Sequence, residues 1–239
     1  MPLPAYDLLF FDADETLFDY KKSEETAFYL TLDEFVVVDI ALKHAVYQSY
    51  QVINKGLWVQ YQTGQIDKET LLRVRFELLQ EKWPIEFDAR QFSQRYLEHL
   101  ANQSHLLHDA VRVIAELSKH CRMAIITNGV STVQHPRLKQ SALAGYFPIM
   151  VVSDDQPQNP KFHKPNTAIF EHTFAACGGG VPREKILMVG DSLVADIAGG
   201  INYGIDTCWF NEYGAVNESP FAPTFEISNL NALLALVLR

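Results

Sequence analysis

A chain of 239 residues, 48% hydrophobic, is long enough for one large domain, or for a core domain carrying a smaller one. Its formal net charge of -9 argues against a nucleic-acid polymer or an anionic membrane as partner, since either would want a basic face. A small anion stays admissible, because one metal ion and a lysine reverse the sign inside a pocket.

Cys121, Cys177 and Cys208 are odd in number and lack metal-ligand spacing, as expected of free thiols in a reducing compartment. Met1 to Asp7 holds two prolines and no basic residue, unlike the start of a signal peptide. No apolar run reaches the ~20 residues of a membrane span. The expectation is a cytoplasmic enzyme or binding protein.

In chain order, Leu8 to Asp12 is a short apolar run ending in a carboxylate, the length of a strand buried on both faces. Residues 19–105 contain no convincing strand. Asp67 opens a helical pattern carrying Leu71, Leu72, Leu78 and Leu79 and closed by Trp83-Pro84. Asp88 opens another with Phe92, Tyr96 and Leu100. Asp109 is placed to cap a helix through about His120. Strand patterns then recur at Met123 to Thr127, Ile149 to Ser153, Ile186 to Asp191 and Asp206 to Phe210. Helical patterns separate them, at Ala168 to Ala176 and at Leu193 to Tyr203, stopped by Gly178-Gly179-Gly180 and Gly204. The loop 154–163 is polar, carries two prolines and is expected to be exposed and mobile.

This alternation predicts an α/β fold: a Rossmann-like, doubly wound parallel sheet with an inserted α-helical cap domain. The predicted core is 1–18 with 106–239 and the cap 19–105. The cap is expected above the C-terminal strand edge, where open parallel sheets take their ligands.

Four small motifs fall at predicted strand ends. Asp12 and Asp14, two residues apart at a turn, can both aim above the sheet. One carboxylate could attack phosphorus while the other shuttles a proton. For an isolated Asp-x-Asp, a turn whose acidic residues cap a following helix is the favoured reading. Thr127-Asn128-Gly129 offers a hydroxyl and backbone N–H groups as a nest for phosphate oxygens, though Asn-Gly is foremost a turn signal. Lys164, just before the helix-opening Pro165-Asn166, could neutralise phosphate and nucleophile; Lys161 is a neighbouring competitor. Asp191 and Asp196 can join Asp12 as oxygen ligands of a hard cation, which suits magnesium. Converging carboxylates without a metal would repel one another strongly.

These motifs, in this order from Leu8 to about Phe210, resemble the haloacid dehalogenase-like hydrolase superfamily. Phe10-Phe11-Asp12-Ala13-Asp14-Glu15-Thr16-Leu17 has Glu15 where most members carry glycine. With Asn54-Lys55-Gly56-Leu57-Trp58-Val59-Gln60-Tyr61-Gln62, that variant is similar to the bacterial house-cleaning pyrimidine 5′-nucleotidases. The stretches Ile126 to Gly129, Met188 to Asp191 and Asp196 to Asn202 point the same way. The resemblance implies Asp12 as nucleophile through an aspartyl-phosphate, Asp14 as general acid and then base, and Thr127 and Lys164 on the phosphoryl group. It implies Mg2+ held by Asp12, the Asp14 backbone carbonyl and Asp191, with Asp196 a direct or indirect partner. The sequence departs from the family's pattern in the length of the 154–163 loop and in Pro136, inside the helix after the second motif. If that helix begins near Ser131 or Thr132, Pro136 falls near the end of its first turn, where the missing N–H costs little; if it begins earlier, the helix must kink and the phosphate nest could shift.

The implied substrate is a nucleoside 5′-monophosphate. Trp58 and Tyr61 could form a platform for a base, Asn54 could read a pyrimidine edge and Arg75 could add a cation; the bland alternative is that Trp58, Leu57 and Phe76 are the cap's own hydrophobic core. The rival readings are a sugar-phosphate phosphatase or phosphomutase on the same core and, outside enzymes, a catalytically silent nucleotide-binding module.

Overall fold

The protein is described from a computed structural model covering residues 5–37, 39–156, 158–159 and 161–238. It divides into two compact units, one comprising the chain up to Tyr20 and from Ser104 onward, the other Lys21–Gln103.

The first unit is built on β1 (Leu8–Phe11), β2 (Arg122–Thr127), β3 (Ile149–Val152), β4 (Ile186–Gly190), β5 (Asp206–Phe210) and β6 (Phe225–Ile227). All pairings are parallel and the order is β3-β2-β1-β4-β5-β6. The near-continuous apolar runs follow from burial on both faces. In β1, Leu9 and Phe11 join one core with Met123, Ile125, Leu187 and Val189. Leu8 and Phe10 join the other with Ala124, Ile126, Ile186 and Met188. Period-two alternation sends each set to its own side.

Helices cover both sides. Packed in the first core are α5 (Ala110–Leu117) and α9 (Ala232–Val237), through Val113, Ile114, Leu233 and Leu236. The second holds Ile169 and Phe170 of α7 (Thr167–Ala176) and Tyr203 of α8 (Ala198–Tyr203). This is the doubly wound order, in which the crossovers to left and right of β1 leave opposite faces and open a crevice at the strands' C-terminal ends.

The second unit contains α1 (Tyr20–Phe35, whose first residue belongs to the other unit), α2 (Ile40–Gln62), α3 (Lys68–Lys82) and α4 (Ala89–Ala101). Asp39, Asp67 and Asp88 cap α2, α3 and α4 by accepting from Leu42, Thr70 and Gln91 backbone N–H groups at 2.7–2.8 Å. Its core is aromatic: Phe28, Tyr50, Phe76, Phe92 and Tyr96 are fully buried, with Tyr50 and Phe76 stacked at 5.5 Å.

Four details differ from the sequence expectations. Asp109 precedes α5 but adopts a left-handed conformation (φ 65°), and its side chain makes no capping bond; it accepts instead from Asn231 and Arg112. The segment after β4 opens with a π-helical turn over Leu193–Ile197 before α8 begins. The helix after β2, α6 (Ser131–Gln140), runs through Pro136, its sixth residue. Pro136 therefore lies in the second turn, where it removes the N–H that would pair with the Thr132 carbonyl. In the loop 154–163, Pro157 and Pro160 lie outside the described residues, and Phe162 is buried in the second core.

Candidate active site

Asp12 follows directly on β1, at the centre of the sheet, and its N–H donates to the Val189 carbonyl of β4 at 2.9 Å. The side chain is 7% exposed. Lys164, 2% exposed, donates from Nζ to Asp12 Oδ1 at 2.5 Å and to the Ile126 carbonyl at 2.7 Å. Its Nζ also pairs with Asp196 Oδ1 at 2.7 Å. The ammonium is aimed by Asn128. That side chain accepts from the Lys164 N–H at 2.8 Å and donates to the Lys164 carbonyl at 2.9 Å. The second motif thus grips the third through its backbone.

Asp12, Asp191 and Asp196 each present an oxygen within 4.8 Å of the others. Asp196 reaches this point because Gly190 has no side chain: a Cβ there would lie 2.3 Å from the Asp196 carboxylate. The π-helical turn supports it, with the Ser192 N–H donating to Asp196 Oδ2 at 2.9 Å.

Three carboxylates face one ammonium, and the electrostatics record the imbalance. Burial, less the attraction of Lys164, plus repulsion from Asp196 and Asp14 pushes the Asp12 carboxyl up to about 7. Burial and the charges of Asp12 and Asp196 hold Asp191 well above the usual carboxylate range. Burial works against the Lys164 charge, but Asp12 and Asp196 outweigh it and raise its pKa. An all-oxygen donor set with surplus negative charge fits a hard divalent cation.

Thr127 is buried at the end of β2, where its hydroxyl accepts from the Gly129 N–H at 3.1 Å. The hydroxyl and the Gly129 backbone therefore lie together, as a phosphate nest requires. Asp14 is separate from the three-carboxylate group. Both its oxygens are taken by α6: Gln134 Nε2 donates to Oδ2 and Arg137 Nη1 to Oδ1, each at 2.5 Å. Glu15 adopts the left-handed conformation, φ 60°. Glycine enters that region without the Cβ clash that Glu15 meets.

The residues expected in the second unit divide into two pairs. Asn54 and Arg75 are buried and bonded together, Arg75 Nη1 to Asn54 Oδ1 at 3.3 Å. Asn54 Nδ2 donates to Glu24 Oε1 at 2.9 Å, and Arg75 Nη1 to the Tyr50 hydroxyl at 3.2 Å. The Arg75 guanidinium lies 4.8–4.9 Å from the ring centroids of Phe76 and Tyr96. Trp58 and Tyr61 are half-buried on α2 and meet edge to face at 5.6 Å, with their planes 83° apart.

The haloacid dehalogenase-like hydrolase family matches residues 6–204. The chain belongs to that family. As a haloacid dehalogenase-like hydrolase it is 33% identical to pyrimidine 5′-nucleotidase YjjG of Escherichia coli, over 98% of this chain and 99% of that protein. It is 36% identical to pyrimidine 5′-nucleotidase PynA of Streptococcus pneumoniae, over 96% and 94%. The crystal structure of the HAD-hydrolase YfnB from Bacillus subtilis bound to magnesium superposes with a TM-score of 0.88 at 32% identity, covering 97% of this chain and 98% of that one. The chain is thus an enzyme of this hydrolase family, with nucleotidase relatives spanning nearly its whole length.

Sequence reasoning missed Gln134, Arg137 and Glu24. The signal for the first two was present. The buried stripe of α6 is Val133, Gln134, Arg137 and Leu138, and two of those four inward positions carry strongly polar side chains that a core helix would not choose. Glu24 had no such signal, because the pattern of α1 does not single it out among neighbouring acidic residues.

Proposed function

We propose that the chain is a magnesium-dependent phosphatase that hydrolyses pyrimidine nucleoside 5′-monophosphates to nucleoside and inorganic phosphate through an aspartyl-phosphate on Asp12. The observation that carries the reading is the buried Asp12, bonded to Lys164 beside Asp191 and Asp196. A carboxylate beside an ammonium, with a cluster of oxygen donors suited to a divalent cation, is what phosphoryl transfer to protein needs. The preference for pyrimidine nucleotides rests on the two nucleotidase relatives.

In the first half-reaction an Asp12 oxygen attacks phosphorus and the ester P–O bond breaks. Asp14, as the general acid, gives a proton to the departing 5′ oxygen. In the second, Asp14 as carboxylate takes a proton from water while the water oxygen attacks phosphorus and the Asp12–phosphorus bond breaks. Phosphate leaves and both aspartates return to their starting states. Lys164, with the Thr127 hydroxyl and the Gly129 N–H, holds the phosphoryl oxygens and offsets their charge. Asp12, Asp191 and the Asp14 carbonyl, with Asp196 beside them, would hold magnesium, which would supply charge neutralisation at the phosphoryl group. In the second unit, Trp58 and Tyr61 are the candidates for base contact, whereas Asn54 and Arg75 serve the unit's own interior.

A panel of phosphomonoesters tests the substrate assignment. UMP, dUMP and dTMP are expected to lead in kcat/KM, and sugar phosphates outrunning them by a wide margin would overturn it. EDTA is expected to abolish turnover and added Mg2+ to restore it; turnover that resists EDTA contradicts the metal.

A further inference from the structure

The carboxylate of Asp14 is held on both oxygens by side chains that belong to no motif named so far. Gln134 and Arg137 stand three residues apart on α6, one turn of helix, so their side chains share a face. Both are buried, Gln134 to 2% and Arg137 to 0% exposure, and both reach Asp14 at 2.5 Å. Arg137 Nη1 lies also 3.5 Å from Gln134 Oε1, so the two arms brace each other. The Arg137 guanidinium rests on aromatic faces, 4.8 Å from the centroid of Phe18 and 5.9 Å from that of Tyr20, which fixes its plane.

A fully buried guanidinium is costly to desolvate, and an apolar side chain of the same volume would serve the fold as well or better. Its placement is therefore explained by what it holds. The route of Gln134 is equally specific. A Cβ on Gly129 would lie 2.2 Å from Gln134 Nε2 and 2.7 Å from its Cγ. The glycine of Thr127-Asn128-Gly129 thus has a second task besides freeing backbone for phosphate: it clears the path by which Gln134 crosses to Asp14. One loop and the helix it starts serve the phosphate site on one side and the proton-transfer carboxylate on the other.

We infer that Gln134 and Arg137 are positioning residues that hold the Asp14 carboxylate in register for proton transfer to and from the ester and water oxygens. Each carboxylate oxygen has two acceptor directions. The clamp uses one on each oxygen and leaves the other free to face the reacting atoms. The inference rests on the reading of Asp14 as the proton-transfer group.

The test compares two substrates that differ in their need for a proton. A 5′-nucleotide must expel a poorly stabilised alkoxide, so loss of aligned acid catalysis is felt in full. 4-Nitrophenyl phosphate expels a stabilised phenolate that leaves without a proton. Gln134→Met and Arg137→Met keep bulk and remove the donors, Arg137→Lys keeps charge but not the planar fork, and Asp14→Asn is the reference. For UMP, kcat is expected to fall ~10–100-fold in the Met variants, part of the general acid–base contribution, with KM within about threefold. Nitrophenolate release in a single turnover is expected to stay within about threefold of the parent enzyme. Arg137→Lys is expected to recover part of the loss on UMP.

Equal losses on both substrates, a loss confined to KM, or undiminished UMP turnover would overturn the inference. If Arg137→Met does not fold, Gln134→Met decides by the same comparison. If Asp14→Asn abolishes UMP turnover while the Met variants retain it, the clamp is wrong and the mechanism stands. If Asp14→Asn itself turns over UMP at the parent rate, the role assigned to Asp14 falls, and the clamp with it.

Discussion

Each of the two units buries a polar cluster, and the two are composed on opposite principles. In the first, three carboxylates share one ammonium, and burial and mutual repulsion raise the pKa of Asp12 and Asp191. In the second, Glu24, Asn54, Arg75 and the Tyr50 hydroxyl match one acid with one base, neutral groups between them and aromatic faces around the cation. The first cluster carries surplus negative charge, which suits a divalent cation. The second balances its charge within itself. Charge left over, rather than polarity as such, separates a site from an architectural network.

Substitutions sharpen that contrast. The largest effect is expected at Asp12. Asp12→Asn should lower kcat by at least ~10³-fold, as loss of a nucleophile does. It should not lower the melting temperature measured without divalent cations, because one of three repelling carboxylates has gone. A variant that unfolds readily but still turns over would place Asp12 with the architectural groups.

Gly190→Ala comes next. Its Cβ would meet the Asp196 carboxylate at 2.3 Å, so the cluster must open. A stability loss of ~1–3 kcal/mol, the usual cost of overpacking, should accompany at least a tenfold weaker response to Mg2+ in titrations of activity. Unchanged magnesium dependence would remove Asp196 from the cation's surroundings.

Arg75→Met probes the balanced cluster. It strands the Asn54 oxygen and the Tyr50 hydroxyl at a cost of ~1–3 kcal/mol, or about 2–12 °C in melting temperature for a chain of this size. At saturating UMP the folded variant should keep kcat, and KM should move less than about threefold. A tenfold KM change with an unmoved melting temperature would return Arg75 to the substrate.

The smallest effect is expected at Glu15. Its left-handed backbone stores ~1–2 kcal/mol of steric cost, against ~0.5–1 kcal/mol of extra chain entropy for glycine. Glu15→Gly should therefore stabilise by roughly 0–1.5 kcal/mol, read by chemical denaturation. A marked loss of stability would show that the Glu15 side chain contributes more than the strain removes.

How much of this was legible in the sequence follows from the range of the forces involved. Five of the six strands are visible as short apolar runs because burial on both faces is a local property of composition. The sixth, Phe225–Ile227, spans three residues and is too short to show a period. Asp12, Asp191, Asp196 and Lys164 stand out because strand ends concentrate chemistry at predictable places. The Asp14 clamp does not, since Gln134 and Arg137 lie about 120 positions away and the helix pattern alone leaves their partner open. Asp109 misled for a related reason: an aspartate before a helix reads as a cap, but the competing bond to Asn231 comes from the far end of the chain.

The position of β1 at the middle of the sheet also has a consequence for how the molecule is made. Its partners are β2 and β4, which begin at Arg122 and Ile186, so the strand that leads into Asp12 is paired only by segments far along the chain. The helices of residues 21–103 find their partners within that stretch, whereas the central strand depends on long-range partners. Asp12 is thus fixed by long-range pairing, and a chain cut short of β2 and β4 carries it without the sheet that buries it.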